Sequence, residues 1–304
     1  MGFRTIFVKN GDSLRLKLDN LEIYKKGETY SIPLPDVESV ILEGGDTVIT
    51  NRILTRLAQY HIDVVVCDNK YMPAGIYLGM GQYHRSAKRA LWQTNWDENL
   101  KKEAWTRIVR QKIMNQIGFA HYQGIEEERL INLEDLCEAI LPGDESNREG
   151  HVAKVYFNSL YGLGFTREED CFPNACMDYG YAIIRAQMAR SAVSLGLLPM
   201  LGVFHKNEYN SFNLIDDLME PFRPLMDYYI HQTVLSETEQ YLTYEKRLTL
   251  IDFLNQKIKV NNKKVYINHA MTEFVSSFIK AMESKNFNHL HEITFSGFVE
   301  CGRK

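Results

Sequence analysis

MPAGIYLGMGQYH, residues 72–84, divides this 304-residue chain into two kinds of pattern. Before it, short β-prone runs follow one another: RTIFVKN (4–10), SLRLKLD (13–19), LEIYKKG (21–27) and ETYSIPL (28–34). Asp19-Asn20 between the second and third reads as a hairpin turn. DVESVILEGG (36–45) continues the strands, and IDVVVCDN (62–69) has the unbroken apolar pattern of a buried strand. Between those two, TVITNRILTRLAQYH (47–61) switches to helical spacing at Ile53, Leu54 and Leu57.

After residue 84 helical periodicity dominates. Residues 87–119 are rich in Ala, Leu, Lys, Glu and Arg, and helical spacing recurs over 133–140, 147–161, 176–194, 214–234, 237–255 and 268–284. Pro142 and Pro173 fall at joints between these segments. The expected class is α+β: a small N-terminal β-rich domain, residues 1–90, and a larger all-α domain, residues 91–304, with the connector near 85–100.

At 45% hydrophobic the chain can bury a substantial core, enough for two domains. No apolar stretch is long enough to span a bilayer, since VSLGLLPMLGVF (193–204) is short and broken by Pro199. With no signal pattern in MGFRTIFVKN, a cytoplasmic protein is expected. The five cysteines, Cys67, Cys137, Cys171, Cys176 and Cys301, have no zinc-site spacing and read as reduced structural thiols. The net charge of −4 argues against nucleic-acid binding over the whole surface but leaves room for local basic patches.

The chemistry concentrates in HKNEYNSFNLIDDLMEPFRP, residues 205–224. Its acids and single imidazole form a set suited to Mg²⁺ or Mn²⁺ rather than a thiolate-held zinc. Asp217 and Glu220 are three apart and share a helix face, whereas Asp216 points about 100° away. The segment also reads as a solvated acidic patch at a helix N-terminus. Against that, Pro221 and Pro224 break the helical ladder beside Asp217 and Glu220, at about 3 kcal/mol for an interior proline. Arg223 lies three after Glu220, placed to hold its carboxylate or reach a phosphate. A lone histidine at position 205 is more often a satisfied boundary residue, and Asn207, Asn210 and Asn213 are more often caps of the coming helix; the alternative is that the loop carries His205 over the Asp217/Glu220 face.

Upstream, Ser146-Asn147-Arg148-Glu149 fits a capping box, in which the glutamate bonds back to the N-cap backbone. By sequence physics alone, capping is the better reading of Glu149. Gly150 directly after it suggests close approach of another group. Arg85, Lys88 and Arg89 cluster if helical, and Lys101, Lys102, Arg107, Arg110 and Lys112 follow on the next helix. Such runs usually form a solvated face.

NREGHVAKVYFNSLYG (147–162), MDYGYAIIRAQMAR (177–190) and HKNEYNSFNLIDDLMEPFRPLMD (205–227) together resemble the CRISPR-associated integrase of spacer acquisition, the universal first CRISPR-associated protein. The opening decapeptide and compact length are similar to the version that accompanies single-protein effector (type II) systems. The resemblance implies a metal-dependent DNA integrase and endonuclease whose ligands are Glu149, His205 and Glu220, with Asp217 as a secondary acid. It implies Mg²⁺ or Mn²⁺ as cofactor, and 3′-hydroxyl ends of prespacer DNA joined to the leader-repeat by transesterification. Arg85, Lys88, Arg89, Arg148 and Arg223 are the candidate phosphate contacts. It further implies a homodimer formed through the β-domain and a small second CRISPR-associated protein bridging two dimers. Other type II acquisition proteins and the effector nuclease are further expected partners.

Overall fold

A computed structural model describes residues 4–9, 13–43, 45–80, 85–236 and 240–302 of the chain. It divides into two compact units, one of residues 1–87 with 193–196 and one of residues 88–192 with 197–304.

The first unit is built from two four-stranded sheets. β1 (Arg4–Val8), β5 (Val37–Leu42), β7 (Asp63–Cys67) and β8 (Pro73–Tyr77) lie in the order β1-β5-β7-β8. β1, β5 and β7 run parallel, and β8 returns antiparallel. All six residues of β5 are buried, as expected of a central parallel strand. β2 (Ser13–Lys17), β3 (Asn20–Lys25), β4 (Glu28–Pro33) and the short β6 (Val48–Ile49) form the second sheet, in the order β4-β3-β2-β6. The β2–β3 turn falls one residue earlier than the sequence suggests. Leu18 and Asp19 carry the positive φ values, 47° and 59°, and Asn20 already pairs in β3. Positive φ at both central residues is the type I′ geometry that matches strand twist.

Helix α1 (Asn51–Gln59) buries Ile53 and Leu57 in a core with Leu14, Leu21, Val40 and Val64, while Leu54 stays at its rim. A side chain of this size contributes about 1.5–3 kcal/mol when fully buried.

The second unit is mostly helical, with α2 (Ser86–Thr94) entering it from residue 88. A break at residues 95–97 separates α2 from α3, where the Asp97 carboxylate caps α3 by accepting from Leu100 N at 2.9 Å. α3 (Glu98–Tyr122) is the axis of this unit: it packs against α4 (Glu127–Glu138), α5 (Arg148–Tyr161) and α8 (Arg223–Thr233). α6 (Phe172–Ser194) begins four residues before the sequence periodicity shows it, with Pro173 in its first turn, where a missing N–H costs nothing. The run 213–233 is α7 (Asn213–Leu218), a 3₁₀ turn (Glu220–Phe222) and then α8.

Over the expected helix 237–255, α9 spans only Tyr244–Asp252, and residues 237–239 lie outside those described. Next comes a feature absent from the sequence reading, the hairpin β9 (Lys257–Val260) and β10 (Lys263–Tyr266). Its turn is Asn261-Asn262, both at positive φ, so this unit is not purely α. α10 (Ile267–Ser284) and α11 (Phe295–Gly302) complete it. Among the described residues no helix is long and apolar enough to cross a membrane.

Candidate active site

Glu149 stands in the first turn of α5, and the helix start explains why its carboxylate is free to reach elsewhere. Asp144 caps this helix. Its Oδ1 accepts from Arg148 N at 2.8 Å and its Oδ2 from Glu149 N at 3.0 Å. Asn147, the N-cap position, makes no side-chain cap bond, and Ser146 Oγ has no partner. The capping box read from Ser146 and Glu149 therefore does not form, because a carboxylate outside the motif satisfies the amides first. The close approach at Gly150 comes from the Asn147 side chain, 2.9 Å from where a Cβ would stand.

His205 is positioned by a buried acid. Asp217, fully buried in α7, spends both oxygens on the loop that carries the histidine. Oδ2 accepts from Val203 N at 2.6 Å and Phe204 N at 3.1 Å; Oδ1 accepts from His205 N at 3.1 Å. The His205 Nδ1–H donates to the same Oδ1 at 2.6 Å. Gly202 permits this wrap, since a Cβ there would fall 2.5 Å from His205 O and 2.7 Å from Asp217 Oδ2. Trp105 of α3 meets the imidazole edge-on at 5.6 Å and stacks on Phe204 at 4.3 Å. The ring is thus fixed with Nε2 as its remaining nitrogen, the one that could hold a metal. The Asp217 hydrogen bond raises the His205 pKa above its usual value, with help from the charges of Asp217, Glu220 and Asp216. Asp217 acts on the site through His205, as a positioning residue.

The asparagines of this loop do not cap α7. Asn207 and Asn210 close local turns onto Tyr209 N and Phe212 N, each at 3.0 Å. Asn213 ties Met200 O and Asn207 O together, at 3.2 and 2.9 Å. Asp216 points away and pairs with Arg185 and Asn210.

Glu220 sits in the 3₁₀ turn created by Pro221, only 3% exposed. Arg223 Nε approaches its Oε1 at 3.2 Å. The Lys112 ammonium of α3 pairs with Glu220 Oε2 and also with Glu149 Oε1. Burial works against the Glu220 charge, but Arg223 and Lys112 hold its carboxyl below the usual range. Burial likewise opposes a charged Lys112, yet Glu220 and Glu149 keep the amine above its usual value.

Lys112 is the residue that sequence reasoning placed on a solvated helix face. It is 6% exposed, in phase with buried Trp105, Ile108 and Val109. A lysine at the i, i+3, i+4, i+7 positions of an apolar stripe is the signal that would have found it.

The donor set tests well for a hard divalent cation: two carboxylates and one oriented imidazole nitrogen. Among the described residues no group of three His, Cys, Asp or Glu is yet arranged to hold a metal, and the ammonium of Lys112 pairs both glutamates. Of the candidate phosphate contacts, Arg85 and Lys88 are exposed. Arg89 is committed elsewhere, paired with Glu283 at 2.6 Å and lying over Trp92. Arg223 lies over the Tyr181 ring while pairing with Glu220, and Arg148 is half-buried at the α5 N-terminus.

The family model for the CRISPR associated protein Cas1 matches residues 6–259. The chain is 37% identical over 291 residues to the CRISPR-associated endonuclease Cas1 of Neisseria meningitidis serogroup C (strain 8013), covering 95% of each. Among solved structures it is similar to a chain of a Cas6-RT-Cas1–Cas2 complex, with a TM-score of 0.76 and 17% identity, covering 96% of this chain and 36% of that one. It is also similar to a casposase bound to integration product, with a TM-score of 0.67 and 16% identity over 93% of this chain and 92% of that one.

Proposed function

The chain belongs to the CRISPR-associated Cas1 family, and from that premise we propose that it is a metal-dependent DNA integrase of spacer acquisition. One observation carries the reading: Glu149 and Glu220, from separate elements, converge on the Lys112 ammonium, and Glu220 also feels the charge of the His205 imidazole, whose other nitrogen is already bonded. The casposase neighbour, bound to integration product, supports strand transfer over hydrolysis alone.

In this reading Glu149, Glu220 and the Nε2 of His205 would hold Mg²⁺ or Mn²⁺. When bound, the ion supplies a Lewis acid that promotes ionisation of a 3′-hydroxyl and offsets charge on the attacked phosphate. Asp217 keeps the proton on Nδ1, so that His205 presents a lone pair at Nε2. Arg223 pairs with Glu220 and would supply positive charge toward a DNA phosphate bound at the site. The 3′-oxygen of the prespacer forms a new bond to phosphorus as the repeat's own P–O3′ bond breaks and its oxygen takes up a proton. No ATP is consumed and no covalent enzyme–DNA intermediate forms.

DNA is the substrate, as prespacer and as leader-repeat. The partners are a second copy of the chain, meeting through the β-rich unit, and a small second CRISPR-associated protein bridging two dimers. The Cas1–Cas2 complex among the structural neighbours supports that partner. In such an assembly an acidic monomer can contribute Arg85, Lys88 and Arg148 to a basic track.

His205→Ala is expected to abolish strand transfer from a 3′-hydroxyl duplex while leaving DNA binding largely intact. Gel analysis of the joined products checks both points. Normal integration by the variant would show the assigned site to be wrong. Shortened fragments without joined products from the wild type would favour a nuclease, with water replacing the 3′-hydroxyl.

A further inference from the structure

We infer that Lys112 is a resident counter-ion of the active site: its ammonium pairs Glu149 with Glu220 before metal binds and must leave them for a divalent cation to enter. The inference rests on the metal-site reading above and assigns a role to a residue outside the three ligands.

The backbones carrying the two carboxylates are set without Lys112. Asn115, on the same helix, donates to Pro221 O at 2.8 Å and to Ile293 O at 2.9 Å, and accepts from Phe295 N at 2.8 Å. Those bonds clamp the 3₁₀ turn of Glu220 onto α3. The Asp144 cap fixes the first turn of α5 and with it Glu149. Lys112 therefore has a different task. Two carboxylates drawn to one point in a buried region repel each other and would take up a proton. A lysine amine on a four-carbon stem cancels that repulsion and, unlike a rigid guanidinium, can swing away.

Charge arithmetic gives the exchange a direction. Glu149, Glu220, Lys112 and Arg223 together are neutral, so the two carboxylates are balanced by groups of the chain itself. Exchange with a divalent ion leaves the site positive, because the displaced ammonium remains tethered nearby. An anionic phosphodiester then completes the balance. Lys112 thus holds metal affinity below what its ligands alone would reach, and couples metal entry to DNA binding.

The test is Mn²⁺ binding to the full chain, measured by calorimetry and by the electron paramagnetic resonance signal, for wild type, Lys112→Gln and Lys112→Met. Both variants should bind Mn²⁺ at least about tenfold more tightly than wild type, following loss of a competing charge pair. Their melting temperatures should fall in chelator and recover more with Mn²⁺ than that of wild type. Equal affinities across the three proteins would overturn the inference, as would weaker binding by both variants. Absence of any Mn²⁺ binding that depends on His205 in wild type would instead refute the metal-site reading. Should both variants fail to fold, wild-type crystals with and without Mn²⁺ decide the matter. Lys112 Nζ between the two carboxylates in the metal-bound form would sink the inference, and its withdrawal would support it.

Discussion

Asp217 shows how a buried acid can matter to the proposed metal site through the residue it positions. It accepts from three backbone amides and the His205 ring, so its loss disturbs both the loop and the imidazole tautomer. Asp217→Asn keeps the size but replaces one acceptor oxygen with a donor facing N–H groups. Partners of this kind typically contribute 10–100-fold, so we expect a drop of roughly that size in Mn²⁺ affinity and strand transfer, measured by titration and product formation. A second buried acid sets a pH dependence. Asp227 accepts from the hydroxyls of Tyr156 and Tyr181, and burial pushes its pKa up to about 6. Its unfolded value is about 4, so between pH 4 and 6 the folded chain holds a proton that the unfolded chain has released. The contribution of Asp227 to stability therefore falls as pH rises through that window, by about 3 kcal/mol in all. Denaturant melts of wild type and Asp227→Asn should show the wild type losing ground to the variant from pH 4 to pH 6 or 7, and no such trend would refute the shift.

At the scale of elements, the site depends on how short segments are pinned to α3. The 3₁₀ turn of Glu220 has too few backbone hydrogen bonds of its own to fix a carboxylate, and Asn115 supplies the missing ones. Asn115→Ala would leave Pro221 O, Ile293 O and Phe295 N without this partner in a buried region. Each such group costs about 1–3 kcal/mol, so with three of them a fall in stability of several kcal/mol is expected, with a rise in the metal concentration needed for activity. Thermal melts and metal titration check it; an unchanged metal requirement would mean that the turn holds itself. The prolines at 221 and 224 had announced an interruption here from sequence, through the carbonyls they release. Asn115 gave no comparable signal, because an asparagine within a helix is commonplace until its distant acceptors are known.

Over the whole molecule, periodicity carried the reading well where an element is long and one-sided. The alternating and continuous apolar runs of the first 80 residues, and the 3.6-residue spacing of α5 and α10, follow from local burial demands that the sequence states directly. Short elements escaped it. The β9–β10 hairpin has four residues per strand and an Asn-Asn turn, too little pattern to stand out among helices. At the site, residue types and the family resemblance singled out Glu149, His205 and Glu220. Sequence physics ranked capping above ligation at Glu149, and the capping box fails because Asp144 reaches the amides first. At residue 112 the basic composition of the helix pointed to an exposed lysine, although the stripe of Trp105, Ile108 and Val109 carried the signal of a buried one. The sequence by itself determined the two-part α+β architecture, the residue types from which the proposed site is drawn and the break at Pro221, because these depend on local spacing and side-chain type. Only the tertiary structure decided which charges meet, since pairing Glu149 and Glu220 across Lys112 requires α3, α5 and the 3₁₀ turn to pack in three dimensions.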